Sequence, residues 1–255
     1  MPEYNSITGD ELLQPYAWNV EKLEGLTVMA RHLVHDMNNF ITVIGGNNNL
    51  AVQRIEPDSQ ASGNLENIRQ TVAATEVLFK KLQIFSGRAR CNEELVDIND
   101  LLEPGVNAFK NSLPGKARLS VNSNPLPKIR GDRQQLVMLL DALLSNAWDA
   151  TPEGSGEVQL ATGSFTLDDN SAALACPEGN ARGGEYCFIE VRDRGEGINP
   201  GIVSKIFDPF FTTKLRRPGM GLPVVLGVTR RHNGIILMHT EQGRGSVFRV
   251  GLRKI

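Results

Sequence analysis

The chain has 255 residues, of which 40% are apolar and 22% charged, and its formal net charge is −2. This composition is typical of a globular protein of one or two domains, and it gives no overall attraction to nucleic acid or to an anionic membrane. The sequence also lacks a bilayer-spanning apolar run, a secretory signal and any regular cysteine or histidine spacing. We therefore expect a cytoplasmic protein with no nucleic-acid partner, no membrane contact from this chain and no structural metal.

Two helices are predicted after an N-terminal polar segment, residues 1–18. Apolar residues recur at spacings of three and four from about Val20 to Ile55, and again from about Asn64 to Phe85. A stop-and-turn signal at residues 56–59 separates them and predicts an antiparallel hairpin. A lone hairpin cannot bury a whole apolar face, whereas two hairpins can pair as a four-helix bundle. We expect a homodimer through residues 20–87; the alternative is a hairpin that packs on the chain's own C-terminal part.

An α/β pattern follows a polar connector at residues 88–96. Helices are predicted at 98–109, 133–150 and 223–232. The second of them has Asp132 as its N-cap. Strands are predicted at 118–122, 158–166, 187–192, 235–241 and 246–253. We interpret the polar, Gly-containing stretch 167–185 as a mobile hairpin tip. The predicted domains are 1–18, 19–90 and 91–255.

The first motif of chemical interest is His35-Asp36, followed by Asn39, in the middle of the first helix. A neutral imidazole accepts a phosphoryl group when a neighbouring carboxylate orients it or takes up its proton. His35 and Asn39 are four residues apart and share a helix face, where the amide can position a water. The alternative is an ordinary surface pair, which is commoner for an isolated His-Asp.

Two further motifs lie at the ends of predicted elements. Asn146 lies near the end of helix 133–150, and its amide oxygen is suited to Mg²⁺. Asp193, Gly195 and Gly197 directly follow the strand 187–192. A buried carboxylate there can accept a hydrogen bond from the exocyclic amine of adenine, and the glycines allow the backbone to approach the base closely. Alone, each motif has a common structural explanation, a helix-terminal Asn and a tight turn.

The last motif, Gly219-Met220-Gly221-Leu222, opens the third of these helices. Glycines at a helix N-terminus suit phosphate, because free N–H groups and the helix dipole both point at the anion. The preceding segment, Phe207–Lys214, is aromatic and leads into the basic loop 214–217. This composition predicts a hinged lid whose cations face phosphate oxygens.

The order and spacing of these motifs resemble the H, N, G1, F and G2 boxes of bacterial two-component sensor histidine kinases. The resemblance extends from about Glu24 to the C-terminus. It is closest to the class with an HDxNN H box and an FxPFFTTK F box, which includes nitrogen-regulation and hybrid sensor kinases. It implies an α+β fold, with a helical hairpin that forms a dimeric four-helix bundle, followed by a two-layer α/β sandwich of Bergerat type. It also implies ATP and Mg²⁺ as cofactors and a response-regulator receiver domain as partner.

The same resemblance implies a role for each motif residue. His35 would be phosphorylated from ATP, with Asp36 as its base. Asn39 would be used when such kinases dephosphorylate their partner. Asn146 would hold Mg²⁺, and Asp193 would bind adenine. The other residues of the nucleotide pocket would be Gly195, Gly197, Lys214, Gly219, Gly221, Leu222 and Ser246, the last as a support for Asp193.

The sequence departs from the family pattern at three places. Ala142 stands where the N box carries a second Asn, Arg217-Pro218 where the G2 box has its first Gly, and Pro223 where a small residue is usual. Loss of one phosphate contact would cost about 1–3 kcal/mol, or roughly ten- to a hundred-fold in affinity. Ala142 also cannot activate water as the catalytic Glu of ATP-hydrolysing relatives does, so transfer to a protein side chain is favoured.

Two other functions stay open on the sequence. The departures are compatible with an ATP-independent histidine phosphotransfer protein that has a degenerate ATP domain, or with a noncatalytic dimeric scaffold. The intact Asn146, Asp193 and Gly-x-Gly residues favour an ATP-dependent kinase instead. Such a kinase autophosphorylates His35 and passes the phosphoryl group to an aspartate of the receiver domain.

Overall fold

The structure is a computed structural model that describes residues 13–56, 59–112, 117–152, 156–215 and 217–254, without the side chains of residues 35, 108–112 and 117. Its helices and strands are, in chain order, β1 Gln14–Pro15, α1 Val20–Val52, α2 Gln60–Phe85, β2 Glu94–Val96, α3 Asn99–Ser112, β3 Ala117–Ser123, β4 Ile129–Gly131, α4 Arg133–Ala150, β5 Gly156–Leu167, α5 Asp169–Ala175, β6 Gly184–Asp193, α6 Gly221–Arg231, β7 Ile235–Glu241 and β8 Gly245–Arg253. A 3₁₀ helix, Pro200–Lys205, lies between β6 and α6. No helix within the described ranges combines the length and apolarity needed to cross a bilayer.

Helices α1 and α2 form the predicted antiparallel hairpin. The side chain of Asn19 caps α1 by accepting a hydrogen bond from the Lys22 N–H at 3.0 Å. Apolar side chains near the start of α1 and the end of α2 are buried, among them Leu23, Val34 and Leu82. Many other apolar side chains of α1 remain exposed, namely Val28, Met29, Leu33, Phe40, Val43, Ile44, Leu50 and Val52. The hairpin therefore has one covered end and a long apolar surface that this chain does not cover.

A six-stranded sheet, in the order β1-β7-β8-β6-β5-β3, forms the second part of the molecule. Only the β3–β5 pair is parallel among these strands. Helices α4 and α6 pack on one face, where alternate strand residues such as Val158, Ile189 and Val250 join Leu136 and Leu143 in the core. The α4 cap forms as predicted, because Asp132 Oδ1 accepts from the Gln135 N–H at 3.0 Å.

The stretch 167–185 connects the antiparallel strands β5 and β6, as the predicted hairpin tip does, and it contains the short helix α5. Its polar residues are caps: Asp168 accepts from both the N–H and the hydroxyl of Ser171. Ala172 and Ala175 are fully buried in a second apolar cluster with Tyr186 and Ile235. The helix was not predicted, because small alanines let a short helix lie close to the sheet and composition alone does not distinguish that from a loop.

The end of the predicted N-terminal polar segment, residues 1–18, packs on the sheet layer. Residues 1–12 lie outside the described residues. Strand β1 pairs with β7, with Gln14 opposite Met238, and extends the sheet. The rings of Tyr16 and Trp18 then lie against Phe207, with centroids 4.8 and 5.1 Å away. The segment that precedes α1 is therefore attached to the sheet layer.

The predicted connector, residues 88–96, also adds a strand, because β2 pairs with β4.

The hairpin meets the sheet layer where α2 ends against α6. A Cβ on Gly227 would lie 2.5 Å from the carbonyl oxygen of Ile84 and 2.7 Å from Phe85 Cα, so the two backbones are in direct contact. Nearby, Arg230 Nη1 donates to the hydroxyl of Thr27 at 3.1 Å. The predicted alternative, a hairpin packed on the chain's own C-terminal part, therefore holds for this end of the hairpin.

Replacing Gly227 with Ala is expected to lower the free energy of unfolding by about 1–3 kcal/mol, because the new methyl group collides with backbone that cannot move aside cheaply. Helix propensity alone would predict a gain of roughly 0.5–1 kcal/mol. Gly25→Ala, in an exposed part of α1 where a Cβ meets nothing within 4 Å, is the matched control. Urea unfolding of the two variants checks this; stabilisation by both would contradict the close contact.

Candidate functional site

A cavity of about 240 Å³ lies between α4, α6 and the segment that joins β6 to α6. Its lining includes most of the residues predicted to bind a nucleotide, namely Asn146, Asp193, Gly197, Lys214, Gly219, Gly221, Leu222 and Ser246. Gly195 is beside it and contacts Asp193. The positions that depart from the family pattern also line it, namely Ala142, Arg217, Pro218 and Pro223. The fold thus brings together residues that are more than a hundred positions apart in the chain.

Asp193 is a buried carboxylate at the end of β6, with 6% of its surface exposed. Its Oδ1 accepts from the Gly195 N–H at 2.8 Å and from the Ser246 N–H at 3.3 Å. Its Oδ2 has no hydrogen-bond partner among the described residues. Burial raises the pKa of Asp193, and these two N–H donors oppose the rise. One oxygen is therefore fixed in place while the other can accept a hydrogen bond from a ligand.

Ser246 is anchored by a second polar contact. Its hydroxyl lies 2.9 Å from that of Thr240, which also accepts from the Ile198 N–H at 2.9 Å. Ser246 therefore contacts Asp193 through its main chain and not through its hydroxyl. The neighbouring strand β7 and the loop after Gly197 hold this corner of the cavity.

Asn146, in the last turns of α4, carries an unsatisfied polar atom. Its Nδ2 is buried and has no hydrogen-bond partner among the described residues. A half-turn about the last side-chain bond exchanges the amide oxygen and nitrogen, so either can face a ligand. A Cβ on Gly221 would lie 2.8 Å from Asn146 Oδ1, so the glycine makes room for this side chain. A buried amide without a hydrogen-bond partner lowers stability unless a bound group supplies that partner. Asn146 is therefore suited to contact a ligand.

Two cations of the predicted lid are held by one carboxylate of α4. Arg217 approaches Asp149 with two nitrogens, Nε at 2.8 Å and Nη2 at 3.0 Å from its two oxygens. Lys214 Nζ lies 4.0 Å from Asp149 Oδ2 and 3.4 Å from the Asn146 carbonyl oxygen. Burial lowers the pKa of Lys214, and nearby carboxylates, Asp149 foremost, oppose this. Asp149 thus positions both cations beside the cavity.

The glycines of the motif lie at close backbone contacts. A Cβ on Gly195 would lie 2.1 Å from the Ala150 carbonyl oxygen, and one on Gly197, whose φ is +64°, would lie 2.1 Å from that of Glu241. The predicted approach of this backbone to a base stays a prediction. These glycines allow the loop to pass close to α4 and β7, and so shape the cavity by backbone packing.

The three predicted catalytic residues lie apart from the cavity lining. His35, Asp36 and Asn39 are on α1, and the side chain of His35 lies outside what the structure describes. Asp36 and Asn39 are exposed. The cavity and the H box are therefore on separate elements, joined by the contact between α2 and α6.

Sequence reasoning missed two residues of the cavity. Asp149 received no role from the sequence, although a carboxylate one turn beyond Asn146 on the same helix face was a usable signal. Lys81, which lines the cavity from α2, had no such signal. Its position depends on how the hairpin docks, which periodicity does not specify.

Comparison with known proteins agrees with this geometry. Residues 131–254 match the family described as histidine kinase-, DNA gyrase B- and HSP90-like ATPases. The chain is 30% identical over 242 residues to sensor kinase CckA of Brucella abortus (strain 2308), which covers 92% of this chain and 25% of that protein. It is 30% identical over 230 residues to sensory histidine kinase/phosphatase NtrB of Azospirillum brasilense, which covers 89% of this chain and 55% of that protein. The chain thus spans about half, or less, of these relatives.

Solved structures share the fold. Full-length ShkA in complex with AMPPNP has a TM-score of 0.64 at 19% identity, covering 88% of this chain and 45% of that one. The Acinetobacter baumannii histidine kinase AdeS has a TM-score of 0.52 at 20% identity, covering 86% and 96%. The predicted resemblance to sensor histidine kinase catalytic cores is confirmed. The predicted helical hairpin followed by a Bergerat-type sandwich is confirmed too.

Replacing Asp193 with Asn is expected to stabilise the ligand-free protein at neutral pH by about 1 kcal/mol, or roughly 2–4 °C in Tm. A raised pKa means that the carboxyl binds protons more readily in the folded state. Its ionised form therefore destabilises the fold as pH rises through the folded-state pKa, and this cost is absent below the ordinary value of 3.8. The gain should shrink as pH falls towards that value. Thermal unfolding across this range tests it, with exposed Asp141→Asn as control; a pH-independent gain would contradict it.

Proposed function

We propose that the chain is the catalytic core of a sensor histidine kinase, which transfers the γ-phosphoryl group of ATP to His35. The observation that carries the proposal is the polar set of the cavity. It combines the buried carboxylate of Asp193, which has one unpaired oxygen, with the buried amide of Asn146 and with two cations, Lys214 and Arg217, that lie against Asp149. The similarity to histidine kinases over about nine-tenths of the chain supports it.

The cavity residues fit a nucleotide in their chemistry. Asp193 Oδ2 is suited to accept from the exocyclic amine of adenine, while Gly195 and Ser246 hold the other oxygen. Lys214 and Arg217 are suited to phosphate oxygens. Glycines at the start of α6, Gly219 and Gly221, leave N–H groups open to an anion.

Asn146 fits the proposed Mg²⁺ site. An amide oxygen is a hard ligand, and Mg²⁺ usually takes the rest of its shell from water and substrate phosphates. The ion, when bound, supplies charge neutralisation of the phosphates. Asn146 lines the cavity with a buried amide nitrogen that has no partner among the described residues, and a half-turn about its last side-chain bond would present the amide oxygen to the ion instead. The carboxylate of Asp149 keeps Lys214 close to the same helix end.

The proposed transfer requires a nucleophile and a base on α1. An imidazole nitrogen of His35 attacks the γ-phosphorus, a nitrogen–phosphorus bond forms, and the bond to the leaving ADP oxygen breaks. Asp36, the next residue, takes up or orients the imidazole proton. The cavity has an apolar methyl group at Ala142, where hydrolytic relatives have a carboxylate. This favours transfer to His35 over transfer to water.

The phosphoryl group then passes from His35 to an aspartate of a response-regulator receiver domain, and Asn39 assists when the same surface dephosphorylates that partner. We propose residues 19–90 as the dimerisation and phosphotransfer domain and 91–255 as the catalytic domain. An ATP-independent phosphotransfer protein is less well supported, because its cavity would have no use for the unpaired polar atoms of Asp193 and Asn146.

Homodimerisation through residues 20–87 is part of the proposal. The exposed apolar side chains of α1 form a surface that a second copy would cover, since apolar side chains recurring along one helix favour bundle formation. The same hairpin also carries His35. A dimer would thus place two phosphoacceptor helices in one bundle.

Incubation with γ-labelled ATP and Mg²⁺ is expected to give an acid-labile label on the wild-type protein and none on His35→Ala. His32→Ala is the matched control, because His32 lies one turn earlier on α1, is exposed, and has its ring nitrogen 3.0 Å from the Val28 carbonyl oxygen of its own helix. It should keep the label. Absence of label on wild type, or equal label on His35→Ala, would contradict the proposal.

Val43→Lys is expected to convert the proposed dimer into a monomer, because a buried, unpaired ammonium is costly in an apolar interface. Leu174→Lys is the control. Leu174 is equally exposed, at 66% against 62% for Val43, but lies on α5 outside the hairpin. Sedimentation velocity distinguishes the outcomes: a monomeric wild type, or loss of the dimer in Leu174→Lys, would contradict the proposed interface.

A further inference from the structure

Lys81 lines the nucleotide cavity from outside the ATPase-family domain. Among the described lining residues, it alone comes from the helical hairpin; the rest come from α4 onwards. Its side chain is half-buried, whereas its neighbour Lys80 is exposed. Helix α2 therefore completes the cavity. This helix lies outside residues 131–254, the part of the chain that matches the ATPase family.

Charge pairing distinguishes Lys81 from the other cations of the cavity. Lys214 and Arg217 lie against Asp149. Lys81 has neither a hydrogen bond nor an ion pair within the described part of the chain. An ammonium at the wall of a cavity, without a carboxylate of its own, is available to an anionic ligand.

The register of the hairpin places Lys81 at the height of His35. Gly45 lies beside Val72, since a Cβ on it would be 3.3 Å from Val72 Cγ1, and Arg31 Nε donates to the Ser86 carbonyl oxygen at 2.9 Å. The two contacts are separated by the same number of residues on each antiparallel helix (31 to 45 and 72 to 86). Position 35 of α1 is therefore level with Leu82, the residue next to Lys81.

The docking that brings Lys81 to the cavity is held at three points. The first is the backbone contact of Ile84 with Gly227, less than one helical turn from Lys81. The second is the Arg230–Thr27 hydrogen bond. The third is at the start of α1, where Lys22 Nζ lies 2.6 Å from Asp208 Oδ2. Because these contacts flank the hairpin on both helices, the approach of Lys81 is part of the fold.

We propose that Lys81 is a nucleotide-binding residue supplied by the hairpin, whose ammonium contacts the terminal phosphates of ATP and holds them level with His35. This rests on the proposed function. It adds a residue that links nucleotide binding to the docking of the hairpin. A contact to the terminal phosphates has a specific consequence: it strengthens binding of a triphosphate and leaves binding of a monophosphate unchanged.

The test is calorimetric titration of the full chain with AMPPNP and with AMP, each in the presence of Mg²⁺. Lys81→Ala is expected to weaken AMPPNP binding about tenfold, the size of one charge-assisted hydrogen bond, and to leave AMP affinity unchanged. Lys81→Arg should retain most of the affinity. Lys80→Ala, one residue away and exposed, should bind as the wild type does.

Two results would overturn the role of Lys81 alone. One is a Lys81→Ala variant that binds AMPPNP as tightly as the wild type. The other is an equal loss for AMPPNP and AMP, which would indicate a structural effect. If the wild type itself binds neither nucleotide, the proposed function fails and the role of Lys81 fails with it.

Discussion

The contact between the Ile84 carbonyl of α2 and the backbone of Gly227 in α6 determines how the hairpin meets the sheet layer. No side chain separates the two helices there, so their approach is set by backbone volume. The position of every α2 residue relative to the cavity follows from it, including that of Lys81. Apolar side chains remain exposed along the length of α1, from Val28 to Val52.

The cavity keeps polar groups that cost stability in the absence of a ligand. Burial opposes the charge of Asp193, and the Asn146 amide lacks a partner. Asp149 offsets part of this cost by holding Lys214 and Arg217 together. Such groups are retained where a ligand completes them. The buried polar groups that lower the stability of the ligand-free protein are thus the same groups that are suited to bind a nucleotide.

Local signals predicted much of the fold and the site. The Asp132 cap and the period of 133–150 fixed α4, and the motif order placed Asn146, Asp193 and Lys214 in one cavity. Contacts between distant segments were not predictable in this way. The packing of Tyr16 on Phe207, the burial of Ala172 and the approach of Lys81 depend on tertiary docking. The backbone contacts of Gly195 and Gly197 with α4 and β7 were not predictable either, because a close approach by a distant backbone leaves the same sequence signal as a close approach by a ligand.

We propose that the terminal phosphates of bound ATP lie beside Lys81 of the hairpin, level with His35. A photoaffinity experiment with ATP that carries an aryl azide on its γ-phosphate tests this most directly, with mapping of the labelled peptides. The predicted result is labelling of peptides around residue 35 of α1 and residue 81 of α2, which excess ATP suppresses. Label confined to residues 131–254, or to the far end of the hairpin near Gly45 and Val72, would contradict the claim.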